Sequence, residues 1–240
     1  MFDGGTSSAE ADITLDFIAG PLDGHPVFDL RQTITEAWLD GASLGMAQLA
    51  LHDFGGGANA EQRTIEVPVT AGSSHTLRLK YTLGPPQASG AGSYLPNLAW
   101  NAGPRLVFSF GFTDLGAGRY LEAWLPANLI FDQFVLTLDI AVTNTALEHA
   151  VISNANVSSL GPNHWQLDWP ASITAVSPML EIRATDTLEH QSGDVVLPQS
   201  GATVTVDVWK LTSGSANLAT ELVNIQTFLA SATRADTRRR

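Results

Sequence analysis

Cysteine is absent from all 240 residues, which excludes disulfide bracing, thiolate metal sites and a cysteine nucleophile together. Charge is sparse at 15%, and basic charge is the sparser: 12 Lys and Arg stand against 24 Asp and Glu, a net charge of -12. Four of the arginines, Arg234, Arg238, Arg239 and Arg240, sit beside Asp236 in the last seven residues, so residues 1–233 carry 8 basic and 23 acidic groups, a net of -15. A body this acidic repels phosphate backbones, and nucleic acid is not an expected partner. No apolar run approaches the roughly 20 residues needed to cross a bilayer, so no membrane partner is expected either. The opening MFDGGTSSAEAD has neither a basic segment nor an apolar segment of a secretion signal. With no cysteine present, a cytoplasmic location is the expectation. Fixed-period repeats and low-complexity tracts are also missing.

What the chain does have is apolar surface, at 44% of residues, and many turn formers, with 21 Gly and 12 Pro. That balance belongs to a globular chain with many turns. Apolar residues alternate along Ile13, Leu15 and Phe17; along Leu77, Leu79, Tyr81 and Leu83; and along Leu106, Phe108, Phe110 and Phe112. The same alternation runs through Phe134, Leu136, Leu138, Ile140 and Val142, then Trp165, Leu167 and Trp169, then Val204, Val206 and Val208. A period of two, greasy on one side and polar on the other, marks strands that cover a core on one face. Punctuators such as Gly55-Gly56-Gly57, Gly84-Pro85-Pro86, Gly161-Pro162 and Ser213-Gly214 separate the runs. The expected fold is all-β, a saddle-like antiparallel β-sandwich with one C-terminal amphipathic helix. Residues 87–103 read as the longest irregular stretch. The helix is expected over 216–232, with Leu218, Leu222, Ile225 and Leu229 inward, Thr220, Asn224 and Thr227 outward, and Ser215 as its N-cap. The domain expectation is therefore a β domain over 1–214, followed over 215–240 by the helix and the arginine-rich tail.

No complete catalytic motif occurs. His25, His52, His75, His149, His164 and His190 are never three or four residues apart, so no helix turn offers two imidazoles to one metal, and no metal site is expected in this chain. The Gly-x-Ser-x-Gly elbow is missing, and Gly72-Ser73-Ser74-His75 reads as a turn opening the next strand. Asp114, Glu122, Asp132 and Asp139 lie close in sequence, and glycoside hydrolysis needs two acids at a set separation. Solvation is nevertheless the ordinary fate of such carboxylates. One alternative is therefore a stand-alone ester or glycoside hydrolase working through Asp114, Glu122 or His149. Another is a carbohydrate-binding β-sandwich using an exposed tryptophan. Trp165 and Trp169 share a face with Leu167 and are expected to be buried, which leaves Trp100, in the irregular stretch, as the residue to test. No Asp-x-Asp-x-Asp loop for calcium appears.

The order Thr113-Asp114, Gly118-Arg119, Trp124-Leu125-Pro126-Ala127-Asn128 and then an alternating strand resembles the N-terminal β domain of the aminopeptidase N family of zinc aminopeptidases. Ser153-Asn154 resembles that family's Ser-Asn-Gly turn, Trp165 to Trp169 its next strand, and Ser177-Pro178-Met179-Leu180 its Pro-Met segment. The likeness runs from about residue 16 to about residue 232. It implies a saddle-shaped domain that closes one side of a peptidase catalytic domain and helps hold the free amino group of a peptide substrate. Asp114, Arg119 and Glu122 are the substrate-binding residues it implies, with Asp114 in the place nearest the family's Gln. Ala127 and Asn128 replace the family's Cys and its neighbours. Neither His-Glu-x-x-His nor Gly-Ala-Met-Glu-Asn occurs, so the resemblance implies no cofactor in this chain, with zinc in a catalytic domain beyond it. The implied role is a non-catalytic domain of such a peptidase, or an interaction module derived from it, partnered by a catalytic domain or a peptide.

Overall fold

The computed structural model describes residues 1–55, 61–84, 97–110, 121–128, 133–171, 178–198 and 200–235, and it divides into two compact units, Met1–Arg183 and Ala184–Arg240. The first unit is built from short strands: β1 (Phe2–Asp3), β2 (Ser8–Ile18), β3 (Val27–Asp29), β4 (Thr33–Leu39), β5 (Ala42–Leu44), β6 (Leu49–Leu51), β7 (Gln62–Ile65) and β8 (Ser74–Thr82). It continues with β9 (Asn97–Asn101), β10 (Arg105–Phe110), β11 (Leu136–Thr143), β12 (His149–Ser153), β13 (Asn156–Gly161), β14 (His164–Trp169) and β15 (Leu180–Ala184).

Eight of these strands form one long sheet in the order β13-β14-β11-β1-β2-β8-β4-β5. Two smaller sheets, β12-β15-β10-β9 and β3-β7-β6, accompany it. The cores show why two are needed. Phe2, Leu136, Ile140, Val142, Leu167 and Trp169 of the long sheet share one buried cluster with Leu98, Leu106, Phe108, Leu180 and Ile182 of the four-stranded sheet. Ala37, Leu39, Leu77, Leu79 and Tyr81 share a second with Phe28, Leu49 and Ile65 of the three-stranded sheet. Each alternating run thus buries one face against a sheet of its own, and the long sheet carries both cores in series. The fold is all-β with one C-terminal helix, as expected from the sequence.

The pairing is antiparallel almost throughout, and the exception is informative. β1 lies parallel to β11, with Phe2 opposite Val142, and antiparallel to β2, with Phe2 opposite Ala9. This two-residue strand joins the halves of the long sheet, and its sequence is too short to show any period. The irregular stretch expected over 87–103 contains β9, an antiparallel partner of β10 with Leu98 opposite Phe108 and Trp100 opposite Leu106. The three-residue turn between them, 102–104, takes positive φ at Ala102 (46°) and Gly103 (84°). Trp100 packs half-buried against the first core rather than standing in an open loop. Trp169 is fully buried and Trp165 is partly buried against the same cluster, as expected.

The second unit holds a ribbon, β16 (Leu188–Val196) with β17 (Thr203–Leu211), and the helix α1 (Leu218–Ala235). A lone ribbon is marginal in water, and here Val195 and Val206 bury against Leu222 of the helix. The helix differs from its expected form at its start and on its face. Asn217 caps it, its Oδ1 accepting the Thr220 N–H at 3.1 Å, so the first turn begins two residues later than expected and Ser215 is not the cap. Leu218, Leu222 and Leu229 sit on the more sheltered side, but Ile225 is 38% exposed. Gln226 points inward instead, its Nε2 donating to the Asp194 carbonyl at 2.9 Å beside Gly193. No helix among the described residues is long and apolar enough to cross a membrane.

Candidate functional site

The segment 121–128, a 3-10 turn at Leu121–Ala123 followed by Trp124-Leu125-Pro126-Ala127-Asn128, is held where the two cores of the first unit meet. Trp124 is 2% exposed and its ring meets Phe108 edge-on at 4.7 Å, inside the first core. Its carbonyl accepts the Tyr81 hydroxyl at 2.8 Å, and the Tyr81 ring belongs to the second core. Burial pushes the Tyr81 hydroxyl far above its ordinary pKa, so it stays protonated and donates. The next carbonyl back, that of Ala123, accepts from Gln32 Nε2 at 2.6 Å, while the Gln32 carbonyl oxygen takes the Gly84 N–H at 2.8 Å. Asp29 and Ala127 exchange both backbone hydrogen bonds at 2.9 Å. The backbone of this buried corner is thus tied to β3, to the residues just after it and to the end of β8, while the Trp124 and Leu125 amides turn back on the Leu121 carbonyl.

Glu122 lies within this frame. Its carboxylate pairs with Arg31 at 3.1 Å, both side chains at least nine-tenths buried, and the Arg31 N–H donates to the Glu122 carbonyl at 2.7 Å. Two residues before Arg31, Asp29 is also buried, and burial lifts its carboxyl above the ordinary carboxylate range even though it accepts the Glu61 N–H at 3.1 Å. Glu61 in turn pairs with Arg63 at 2.6 Å. The ion pair therefore fixes the corner to the chain after β3. Asp114, Arg119 and Asp132, the other residues singled out around this corner, lie outside the described residues.

His149 has a different setting. It is 6% exposed in β12, with Nε2 3.3 Å from the Leu106 amide and Nδ1 3.2 Å from the Leu147 carbonyl. An amide can only donate, so Nε2 is the acceptor and Nδ1 carries the proton. Both ring nitrogens thus serve the backbone, and the partner shown for the Glu122 carboxylate is Arg31. Asp139 is exposed and pairs across the sheet with His164 at 2.7 Å.

Three short motifs far apart in sequence meet in one clasp. Asn154 Oδ1 accepts from Trp169 Nε1 at 2.9 Å and from the Met179 N–H at 2.8 Å, and Ser153 Oγ donates to the Met179 carbonyl at 2.5 Å. The Ser153-Asn154 turn, the Trp169 strand end and the Pro178-Met179 segment are therefore parts of one structural lock, with Pro178 fully buried beside it. Sequence reading picked out all three without showing that they touch. It missed Arg31 altogether, because a lone arginine beyond a three-residue strand carries no signal for a partner 91 positions away. Among the described residues no group of three or more His, Asp or Glu side chains converges, so they offer no donor set for a zinc ion.

No family model matches the sequence, and no curated protein matches it. Solved structures do. A two-domain M1 zinc metallopeptidase bound to L-arginine aligns at 17% identity and TM-score 0.56, over 91% of this chain and 48% of that one. An M1 zinc metallopeptidase from Deinococcus radiodurans, bound to the substrate Tyr-Ser-Ala, aligns at 18% identity and TM-score 0.53, over 90% and 47%. Legionella pneumophila aminopeptidase A in complex with aspartic acid aligns at 13% identity and TM-score 0.50, over 86% and 22%. The resemblance to zinc aminopeptidases thus holds at the level of the fold, and this chain spans half or less of the length of those proteins.

Proposed function

We propose that this chain is the β domain of an aminopeptidase N-like metallopeptidase, non-catalytic toward peptides, covering the substrate site and helping to bind the peptide N-terminus. A free-standing interaction module derived from such a domain is the same reading without a covalent partner. The observation that carries it is the fold shared with M1 metallopeptidases over 91% of this chain but only 48% of the matched one. The buried corner at 121–128 gives the reading a physical basis. A segment bolted to two cores at once is a rigid support of the kind a recognition site requires. In this reading Asp114 receives the substrate ammonium group and Glu122 acts through Arg31, holding the corner. Water activation by zinc belongs to the partner domain.

The test is a titration of the purified chain, followed by NMR, with Tyr-Ser-Ala and with its N-acetylated form. The free peptide is expected to bind weakly, and both acetylation and Asp114→Asn are expected to abolish the response. Equal binding of the two peptides would remove the proposed role in recognising the amino group.

A further inference from the structure

We propose that Ser73, His75 and Asp40 form an acyl-transfer site, with Ser73 as nucleophile, His75 as its general base and Asp40 positioning the imidazole, acting on small carboxylic esters with good leaving groups. The three side chains lie in series. Ser73 Oγ is 2.6 Å from His75 Nε2, and His75 Nδ1 is 2.7 Å from Asp40 Oδ2. These are the nucleophile-to-base and base-to-orienter distances that such chemistry needs, with the two contacts on opposite nitrogens of one ring.

Each member is fixed by something other than the next. Asp40 opens the Asp-Gly turn between β4 and β5 at φ 52°, and its second oxygen accepts the Thr76 N–H at 2.9 Å. His75, first and foremost, and then that amide, hold the Asp40 carboxyl below its ordinary range, so it stays ionised beside the ring. The imidazole lies against Phe17 at 5.5 Å with its side chain only 14% exposed, which limits its rotation. Ser73 sits on the turn before β8, and its hydroxyl donates to the Thr70 carbonyl at 2.5 Å, so the O–H must rotate from that carbonyl to His75 Nε2, already 2.6 Å away, before attack. The hydroxyl has one proton to give. With a neutral ring protonated on Nδ1 toward Asp40, Nε2 is the acceptor that can remove it.

The surroundings narrow the substrate. The backbone amides of the turn are already used: Ala71 donates to Asp23, Gly72 to Gly20 and Ser73 to Thr70. They are not free to stabilise a developing oxyanion, so an unactivated amide is a poor substrate and an ester of an acidic phenol is a suitable one. In the step, Ser73 Oγ bonds to the acyl carbon, its proton passes to His75 Nε2, and the C–O bond to the leaving group breaks as that oxygen takes the proton. Water then attacks the acyl-serine, giving its proton to His75; the carboxylic acid leaves and Ser73 recovers its hydroxyl proton.

The full chain is treated with an alkyl fluorophosphonate, which traps an activated serine by forming an O–P bond with loss of fluoride, and the adduct is mapped by peptide mass spectrometry. p-Nitrophenyl acetate hydrolysis is followed in parallel. The expected result is an adduct on Ser73, absent in Ser73→Ala and formed about 100-fold more slowly in His75→Gln, with ester turnover falling in step. Asp40→Asn, which keeps an acceptor for Thr76, is expected to slow labelling at least tenfold while the circular dichroism spectrum stays unchanged. No adduct at Ser73, an adduct only elsewhere, or labelling of folded Asp40→Asn at the wild-type rate would overturn the proposal.

Discussion

The Arg31–Glu122 pair permits a quantitative test of how the corner is held. Glu122→Gln keeps the shape of the side chain and removes its charge, leaving the Arg31 guanidinium in a site where it is less than a tenth exposed. Breaking a buried pair from one side costs about 3–5 kcal/mol, because the remaining charge has lost both water and its counter-ion. With a urea dependence of about 2 kcal/mol per molar, typical of a domain this size, the unfolding midpoint of the first unit should fall by roughly 1.5–2.5 M. Arg31→Met alone should cost a similar amount. A double variant of Arg31→Met with Glu122→Leu should recover much of the loss, since a packed apolar replacement of both partners is close to neutral. The assay is urea unfolding followed by tryptophan fluorescence, with Trp124 in the corner as a reporter, for the wild type and all three variants. A loss under about 1 kcal/mol in Glu122→Gln would refute the reasoning. It would mean the pair behaves as a solvent-screened surface contact, and Glu122 would then be available to a substrate.

Asp29→Asn probes the neighbouring carboxyl by pH. The folded pKa of Asp29 is raised, so the folded state binds its proton more tightly than the unfolded state, and that contribution to stability is lost as pH rises through the raised value. Removing the charge should leave stability equal or higher at neutral pH, with the difference vanishing below the ordinary carboxylate range; urea midpoints from pH 3 to 7 check it. Asn154→Ala takes one acceptor from two donors, Trp169 Nε1 and the Met179 N–H, and should cost about 1–3 kcal/mol in the same assay. Leu222→Ala empties the centre of the small cluster that joins α1 to its ribbon, at about 2–5 kcal/mol, and should lower helical circular dichroism at 222 nm before the first unit unfolds.

What the sequence made legible was local. Strands such as β2, β8, β11 and β14 show their two-residue period because each buries one face, and the register pairs Ile13 with Leu79 and Leu138 with Leu167 as that period requires. The Trp124 corner and the Ser153-Asn154 turn stood out as unusual residue combinations in a short span. Relations across distance did not show. β1 pairs with β11 some 140 positions away, Arg31 meets Glu122 across 91, and Asp40 meets His75 across 35. Gly72-Ser73-Ser74-His75 reads as a turn opening the next strand, and β8 does begin at Ser74 with His75 inside it, but nothing in that segment tells that Asp40 closes the series. Helix α1 was legible in existence and less so in orientation. Ile225 continues the apolar spacing, yet the close approach of Gly193 admits the Gln226 side chain, which takes the inward place.

The most direct measurement is aminoacyl-p-nitroanilide hydrolysis by the purified chain, with added zinc and with a chelator. The account places peptide recognition here and water activation in a partner domain, and it predicts no anilide turnover in either condition. Zinc-dependent release of p-nitroaniline that copurifies with the chain and disappears with the chelator would contradict it.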